Sequence, residues 1–214
     1  MTDPCTPSPE AYPSDCELME GYRDLARNRI AEAEQDAVRR QALLARAEPI
    51  RLLLLDVDGV LTDGSIHYAD AGAEGKTFNT QDGFGLRLLR EAGLETGVIT
   101  ARTSEAVARR ARDLQMRYVH QGIANKLTAY QAIMRESGLK PFEIAYMGDD
   151  WLDLVLLTRV GLAAAPANAV DEVKQSSHFV STRMGGHGAV RELCTFLLEA
   201  KGLKEQFLQR YTNR

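Results

Sequence analysis

Asp56 and Asp58 stand two residues apart, directly after four consecutive leucines and just ahead of Gly59. Carboxylates this close repel one another and raise a pKa unless something offsets the charge. A bound cation does so, and so does a division of labour between a nucleophile and a proton carrier. Three further places carry matching chemistry. Thr100 and Arg102 follow the run Gly97-Val98-Ile99, Lys126 opens a helical stretch, and Asp149, Asp150 and Asp153 follow an apolar run ending at Met147. Together they supply carboxylates for a divalent cation, a nucleophile, a proton carrier, and donors for a phosphate.

Competing readings exist for each piece. A calcium loop beginning at Asp56 needs a polar fifth residue, glycine at the sixth and glutamate at the twelfth. Val60, Leu61 and His67 occupy those places, so that reading fails. A plain turn after a core strand stays open. Thr100 ends a strand whatever else it does, Lys126 suits a solvated helix start, and Arg102 suits a surface ion pair. Asp150 has the type and place of an N-cap, with Asp153 three residues on in a capping-box position. The conjunction of all these at successive strand ends is what argues for a site.

The elements that must position them are legible from the pattern. Leu52-Leu53-Leu54-Leu55 reads as a short strand buried on both faces of a parallel sheet, and period-two geometry sends Asp56 and Asp58 to one side. Strands are expected at 95–100, 117–121, 143–147, around Leu162 and at 178–181. Helices are expected at 82–92, 104–114, 125–137, from Asp150 to Arg159, and as a pair from about Gly188 onward. Residues 65–68 and 76–78 flank 69–75 as a β-hairpin. Repeated strand–helix units imply an α/β, doubly wound parallel sheet with helices on both faces, whose carboxyl edge binds ligands. The hairpin is the flap after the first strand, and no stretch is long enough for a large cap domain.

Residues 1–14 contain four prolines and little hydrophobicity, reading as a disordered tail. Residues 15–48 turn rich in Ala, Arg and Glu, with Tyr22, Leu25, Ile30, Ala33, Ala37 and Leu44 near helical spacing and Pro49 as the stop. That thin stripe suits either a solvated arm or an oligomerisation helix. The division is thus an extension over 1–49 and a catalytic domain over 50–214. Net charge is −4 in 214 residues, which argues against a general nucleic-acid binder. No apolar run reaches the ~20 residues of a membrane span, and the N-terminus lacks a basic-then-apolar signal. Cys5, Cys16 and Cys194 have no metal spacing and fit a reducing cytoplasm, with Cys194 in a late helix.

Asp56-Val57-Asp58-Gly59-Val60, the Thr100 strand end, Lys126 and Gly148-Asp149-Asp150-Trp151-Leu152-Asp153 resemble the four motifs of haloacid dehalogenase-like phosphatases. The stretches Phe78-Asn79-Thr80-Gln81-Asp82-Gly83 and Gly185-Gly186-His187-Gly188-Ala189-Val190-Arg191-Glu192 resemble the small, capless 3-deoxy-D-manno-octulosonate 8-phosphate phosphatases. The resemblance spans about residues 50–200.

It implies a magnesium-dependent phosphomonoesterase working through an aspartyl phosphate. Asp56 would be the nucleophile and Asp58 the acid and base. Asp56, Asp149 and the Asp58 carbonyl would hold Mg2+, with Asp150 or Asp153 orienting its waters. Thr100 and Lys126 would bind phosphate oxygens. Arg102, Asn79, Asp82 and Arg191 would contact the sugar acid or support those contacts. The family further implies a cytoplasmic homotetramer in lipopolysaccharide precursor synthesis, its hairpin and C-terminal tail reaching neighbouring subunits. The alternatives are a sialic-acid-type nonulosonate 9-phosphate phosphatase and a non-catalytic oligomerisation domain. Two departures stand out: Ala101 replaces a frequent glycine, and the N-terminal extension lies outside the resemblance.

Overall fold

Leu52, Leu53, Leu54 and Leu55 are all fully buried, and their side chains divide between two cores. Leu53 and Leu55 join one apolar cluster, Leu52 and Leu54 the other. A strand apolar on both faces therefore sits between two layers of helices. The computed structural model describes residues 15–68 and 74–213.

In chain order, helix α1 (Asp15–Ala47) leads to β1 (Leu52–Leu55), and a hairpin of β2 (His67–Tyr68) and β3 (Glu74–Gly75) follows. Next come α2 (Thr80–Glu91), β4 (Glu95–Ile99), α3 (Glu105–Asp113), β5 (Tyr118–His120) and α4 (Lys126–Ser137). The chain continues through β6 (Ile144–Met147), α5 (Leu154–Leu157), β7 (Leu162–Ala165), α6 (Asp171–Gln175) and β8 (Phe179–Val180). It closes with α7 (Ala189–Ala200) and α8 (Lys204–Thr212).

Six strands form one parallel sheet in the order β5-β4-β1-β6-β7-β8. Helices α2, α3 and α7 pack with the Leu53 cluster, and α4, α5 and α6 with the Leu52 cluster. Chain order reverses across β1, which makes its carboxyl end the switch point where such sheets bind ligands. Register does the rest. Leu55 pairs with Val98 on one side and Met147 on the other. The residues that follow, Asp56, Thr100 and Asp149, are thereby brought to one edge.

The expected doubly wound sheet is present, and among the described residues only the two-stranded hairpin is inserted between β1 and α2. Several boundaries differ from expectation. The hairpin's return arm pairs through Glu74 and Gly75, opposite Tyr68 and His67, rather than through 76–78. Residues 69–73 of the turn expected at 69–75 lie outside the described residues, as does the expected tail at 1–14. The helix expected to Arg159 is a 3₁₀ turn at Trp151–Asp153 followed by the single turn α5. Helix α6 was not expected, because five residues carry too little periodicity to distinguish them from a loop.

The chain divides into two compact units, Met1–Ala42 and Leu43–Arg214. In the first, the stripe residues Tyr22, Leu25 and Ile30 are exposed. In the second, the last turns of α1 contribute Leu43, Leu44 and Ala47 to the Leu53 core.

Candidate active site

The strand ends at Leu55, but the Asp56 amide still donates to Met147 O (3.0 Å), so the nucleophile candidate is held by the sheet. The chain then coils. Val57 O accepts from the amides of Val60, Leu61 and Thr62, at 3.3, 2.9 and 3.0 Å. This turn corrects the strand argument for the two aspartates: Asp56 and Asp58 do reach one cavity, by a turn rather than by alternation along a strand. The turn needs Gly59, whose φ is +83°. A Cβ there would also run into the Asp149 carboxylate. Gly185 backs the same loop, since a Cβ on it would strike the Gly59 carbonyl. That close approach explains the Gly185-Gly186 pair noted in the sequence.

Asp56, Asp58, Thr100, Arg102, Lys126, Asp149, Asp150 and Asp153 all line one cavity of about 240 Å3, together with Gly59, Gly64, Ala101 and Leu152. Eight of the expected site residues are thus brought together. At its floor lies a buried charge cluster. Lys126, the first residue of α4 after its Asn125 cap, donates to Asp153 Oδ1 (2.5 Å) and Tyr146 OH (3.1 Å). Tyr146 OH donates to the same Asp153 oxygen at 2.5 Å. Asp153 Oδ2 accepts from the amides of Asp149 (2.9 Å) and Asp150 (3.2 Å). Asp150 in turn caps the Trp151 amide (2.7 Å), so the expected capping box forms.

Each oxygen of Asp153 therefore accepts two hydrogen bonds. Its carboxylate lies near those of Asp56 and Asp149, but its lone pairs are committed to locking the Asp149 loop onto Lys126. The opposite holds for the other two. Lys126 Nζ forms an ion pair with Asp56 Oδ1 at 3.0 Å, and that oxygen is otherwise buried without a hydrogen-bond partner among the described residues. Asp149 Oδ1 is buried and unbonded as well. Two orphaned carboxylate oxygens facing one cavity are what a hard divalent cation requires. The donor set fits such an ion.

The titration behaviour agrees. Burial lifts Asp56 to about 6, against the pull of Lys126 and with a push from Asp153. Burial likewise lifts Asp149 to about 7, reinforced by Asp56, Asp153 and Asp150. Burial pulls Lys126 down, but Asp56 and Asp153 together outweigh it and leave its pKa raised. Three carboxylates confront one ammonium, so the cluster is short of positive charge.

On the rim, Asp58 is held by two cations. Lys76 Nζ bonds its Oδ1, and Arg102 Nε lies 3.9 Å from Oδ2. Thr100 is buried beneath, its hydroxyl accepting from the Arg102 amide at 3.4 Å. Lys76 and Tyr146 were missed by sequence reasoning. Tyr146 reads as one more apolar residue of β6, and nothing in the spacing links Lys76 to Asp58 eighteen residues earlier.

Asn79, Asp82 and Arg191 are not among the residues lining this cavity. Asn79 caps α2, accepting from the amides of Gln81 (2.7 Å) and Asp82 (3.3 Å). Asp82 is buried and accepts from the amides of Arg191 (2.7 Å) and Gly188 (3.3 Å), tying α2 to the start of α7. The Arg191 guanidinium stacks over Phe84 and donates to Thr195. Asp82 and Arg191 thus meet at the start of α7, just after the loop that backs Gly59, and Asn79 stands at the start of α2.

A family model described as haloacid dehalogenase-like hydrolase matches residues 119–193. The chain is 41% identical over 160 residues to the 3-deoxy-D-manno-octulosonate 8-phosphate phosphatase of Escherichia coli, covering 75% of this chain and 85% of that protein. The crystal structure of the Yersinia pestis phosphatase of the same name superposes with a TM-score of 0.75 at 38% identity, over 76% of this chain and 88% of that one. The Moraxella catarrhalis phosphatase, solved with magnesium, phosphate and the sugar acid, gives a TM-score of 0.78 at 36% identity, over 79% and 98%.

Proposed function

The chain belongs to the 3-deoxy-D-manno-octulosonate 8-phosphate phosphatases of the haloacid dehalogenase-like hydrolases, and on that premise we propose that it is a magnesium-dependent phosphomonoesterase releasing phosphate from that sugar acid. The observation that carries the reading is the pair of orphaned oxygens on Asp56 and Asp149 beside the buried Lys126, at the switch point of the sheet.

Asp56 and Asp149, with the backbone carbonyl of Asp58, would hold the magnesium ion, and Asp150 would orient water beside it. The ion supplies the positive charge that lets a phosphate dianion approach so many carboxylates. Asp56 attacks phosphorus and becomes an aspartyl phosphate. Asp58 gives its proton to the departing sugar oxygen and then takes one from the water that hydrolyses the intermediate. Lys126 and Thr100 hold the equatorial phosphate oxygens, where charge gathers in the transition state. Arg102 on the rim has the forked donor geometry suited to the planar carboxylate of the sugar acid. Asn79, Asp82 and Arg191 support the wall behind the Gly59 loop.

We further propose that residues 1–49 are an accessory arm on a catalytic domain of 50–214, and that the enzyme works as a cytoplasmic homotetramer. Exposed Ile66 and Tyr68 on the hairpin support a subunit contact there. Among the described residues, no helix is long and apolar enough to cross a membrane.

The test is phosphate release from octulosonate 8-phosphate and nonulosonate 9-phosphate side by side, with magnesium and with a chelator. Chelator-sensitive turnover of the eight-carbon ester is expected. Preference for the nine-carbon ester would move the substrate assignment, and silence on both from folded, magnesium-loaded protein would overturn it.

A further inference from the structure

We propose that Lys76 is a positioning residue for proton transfer at Asp58, an inference that rests on the phosphatase reading above. Lys76 follows β3 on the return arm of the hairpin, whose facing strand residues His67 and Tyr68 are exposed. Its own side chain is only 1% exposed. Burying a lysine on an otherwise solvated hairpin costs rotamer freedom and hydration, so its partner must hold it strongly. One partner that does so is Asp58 Oδ1.

The arrangement around Asp58 is a clamp. Lys76 takes one carboxylate oxygen from the hairpin side, and Arg102 Nε stands 3.9 Å from the other from the loop after β4. Asp58 and Arg102 line the cavity, whereas Lys76 is not among the lining residues. Lys76 therefore acts through Asp58 and not on the substrate. Asp58 itself sits on the Val57–Thr62 turn with a side chain 23% exposed. The hydrogen bonds within that turn run to Val57 O and Thr62 Oγ1, and the lysine constrains the Asp58 carboxylate from a second element.

In the first chemical step a bond forms between Asp56 and phosphorus, and the bond from phosphorus to the sugar oxygen breaks. The proton on Asp58 goes to that oxygen, leaving Asp58 as the carboxylate that Lys76 holds. Misdirecting the donor harms this step only as far as the leaving oxygen needs a proton. A sulfur in the same bridging place leaves as a thiolate and needs none. That distinction separates aiming Asp58 from merely stabilising the hairpin.

The experiment compares wild-type enzyme with Lys76→Met, Lys76→Ala and Lys76→Arg, measuring kcat/KM for octulosonate 8-phosphate and for its bridging 8-thio analogue. For Met and Ala, kcat/KM for the oxygen ester should fall ~10²-fold, the scale of a misplaced catalytic group. The same parameter for the sulfur ester should stay close to wild type, and Arg should restore part of the oxygen-ester rate. Equal losses on both esters would reduce Lys76 to a structural residue and overturn the proposal, as would no loss on either. Wild-type enzyme silent on the oxygen ester would instead bring down the phosphatase reading itself, a separate result.

Discussion

Two polar clusters meet near the Gly59 loop, and they are built on opposite terms. At the α2–α7 junction every group of interest is met: Asn79 caps two amides and Asp82 accepts from two more. At the strand ends, Asp149 buries an oxygen with no hydrogen bond among the described residues, and the buried Asp56 Oδ1 faces the Lys126 ammonium at 3.0 Å without an aligned hydrogen bond among them. Burial raises the pKa at Asp82 as well, but two backbone amides pull it back. For Asp149 the next contributions are neighbouring carboxylates, which push the same way. The satisfied cluster spends its polar groups on holding loops. The unsatisfied one keeps its groups for a ligand, and stability is lost there until the ligand arrives.

The largest effect should come from Asp56→Asn. Turnover should fall about 10⁴-fold or more, the scale of removing a nucleophile. If the cluster is strained by its own charge, the metal-free variant should melt no lower than wild type. Activity assays and thermal denaturation without magnesium check both halves. A variant that is active, or one that is inactive because it has unfolded, would break the contrast.

The second prediction uses pH to sharpen it. In the metal-free protein Asp56 and Asp149 titrate near 6 and 7, both raised from 3.8. The native state then binds protons more tightly than the unfolded chain between those values. Their contribution to stability is present below 3.8 and is lost as pH rises to about 7. Magnesium needs both groups ionised, so protons compete with it and its affinity should climb through the same window, by up to about tenfold per pH unit for each proton displaced. Melting curves with and without magnesium should show a larger stabilisation at pH 8 than at pH 5.5. Equal shifts at both would mean that the orphaned oxygens are not where the ion binds.

Much of this was legible before any coordinates. Four leucines flanked by turn residues located the central strand, and the strand-end residues located the cavity. The three-residue spacing of Asp150 and Asp153 announced their capping box. What spacing could not tell was which carboxylate is spent. Asp153 is saturated only because Lys126 and Tyr146 arrive from α4 and β6, and those partners are a product of packing. Asp82 is similar: the amides it binds lie more than a hundred residues later, and only the α2–α7 contact brings them together. The family resemblance implied substrate contact or support for it, and spacing cannot choose between the two. Lys76 escaped notice for the converse reason, since a lone lysine on a hairpin reads as a solvated one.

A third test acts on the satisfied side. Asp82→Ala leaves the amides of Gly188 and Arg191 buried without acceptors, which costs about 1–3 kcal/mol. The melting temperature should drop, while kcat at a temperature where the variant is folded stays near wild type. Denaturant unfolding paired with steady-state kinetics measures it. A collapse of kcat in a fully folded variant would move Asp82 from the supporting wall into the site.

The smallest expected effect is the most discriminating for the junction. Asn79→Ala removes one side-chain oxygen that serves the amides of Gln81 and Asp82, at the exposed first turn of α2. Losing such a cap costs ~1 kcal/mol, and Asn79→Ser should recover most of it because a hydroxyl accepts from the same amides. If Asn79 is only a cap, stability should follow Asn ≈ Ser > Ala while KM for the sugar phosphate stays level across the three. A KM that rises in both variants, with stability unchanged in Asn79→Ser, would mean that the amide touches substrate. The boundary between the two clusters would then run through α2 rather than beside it.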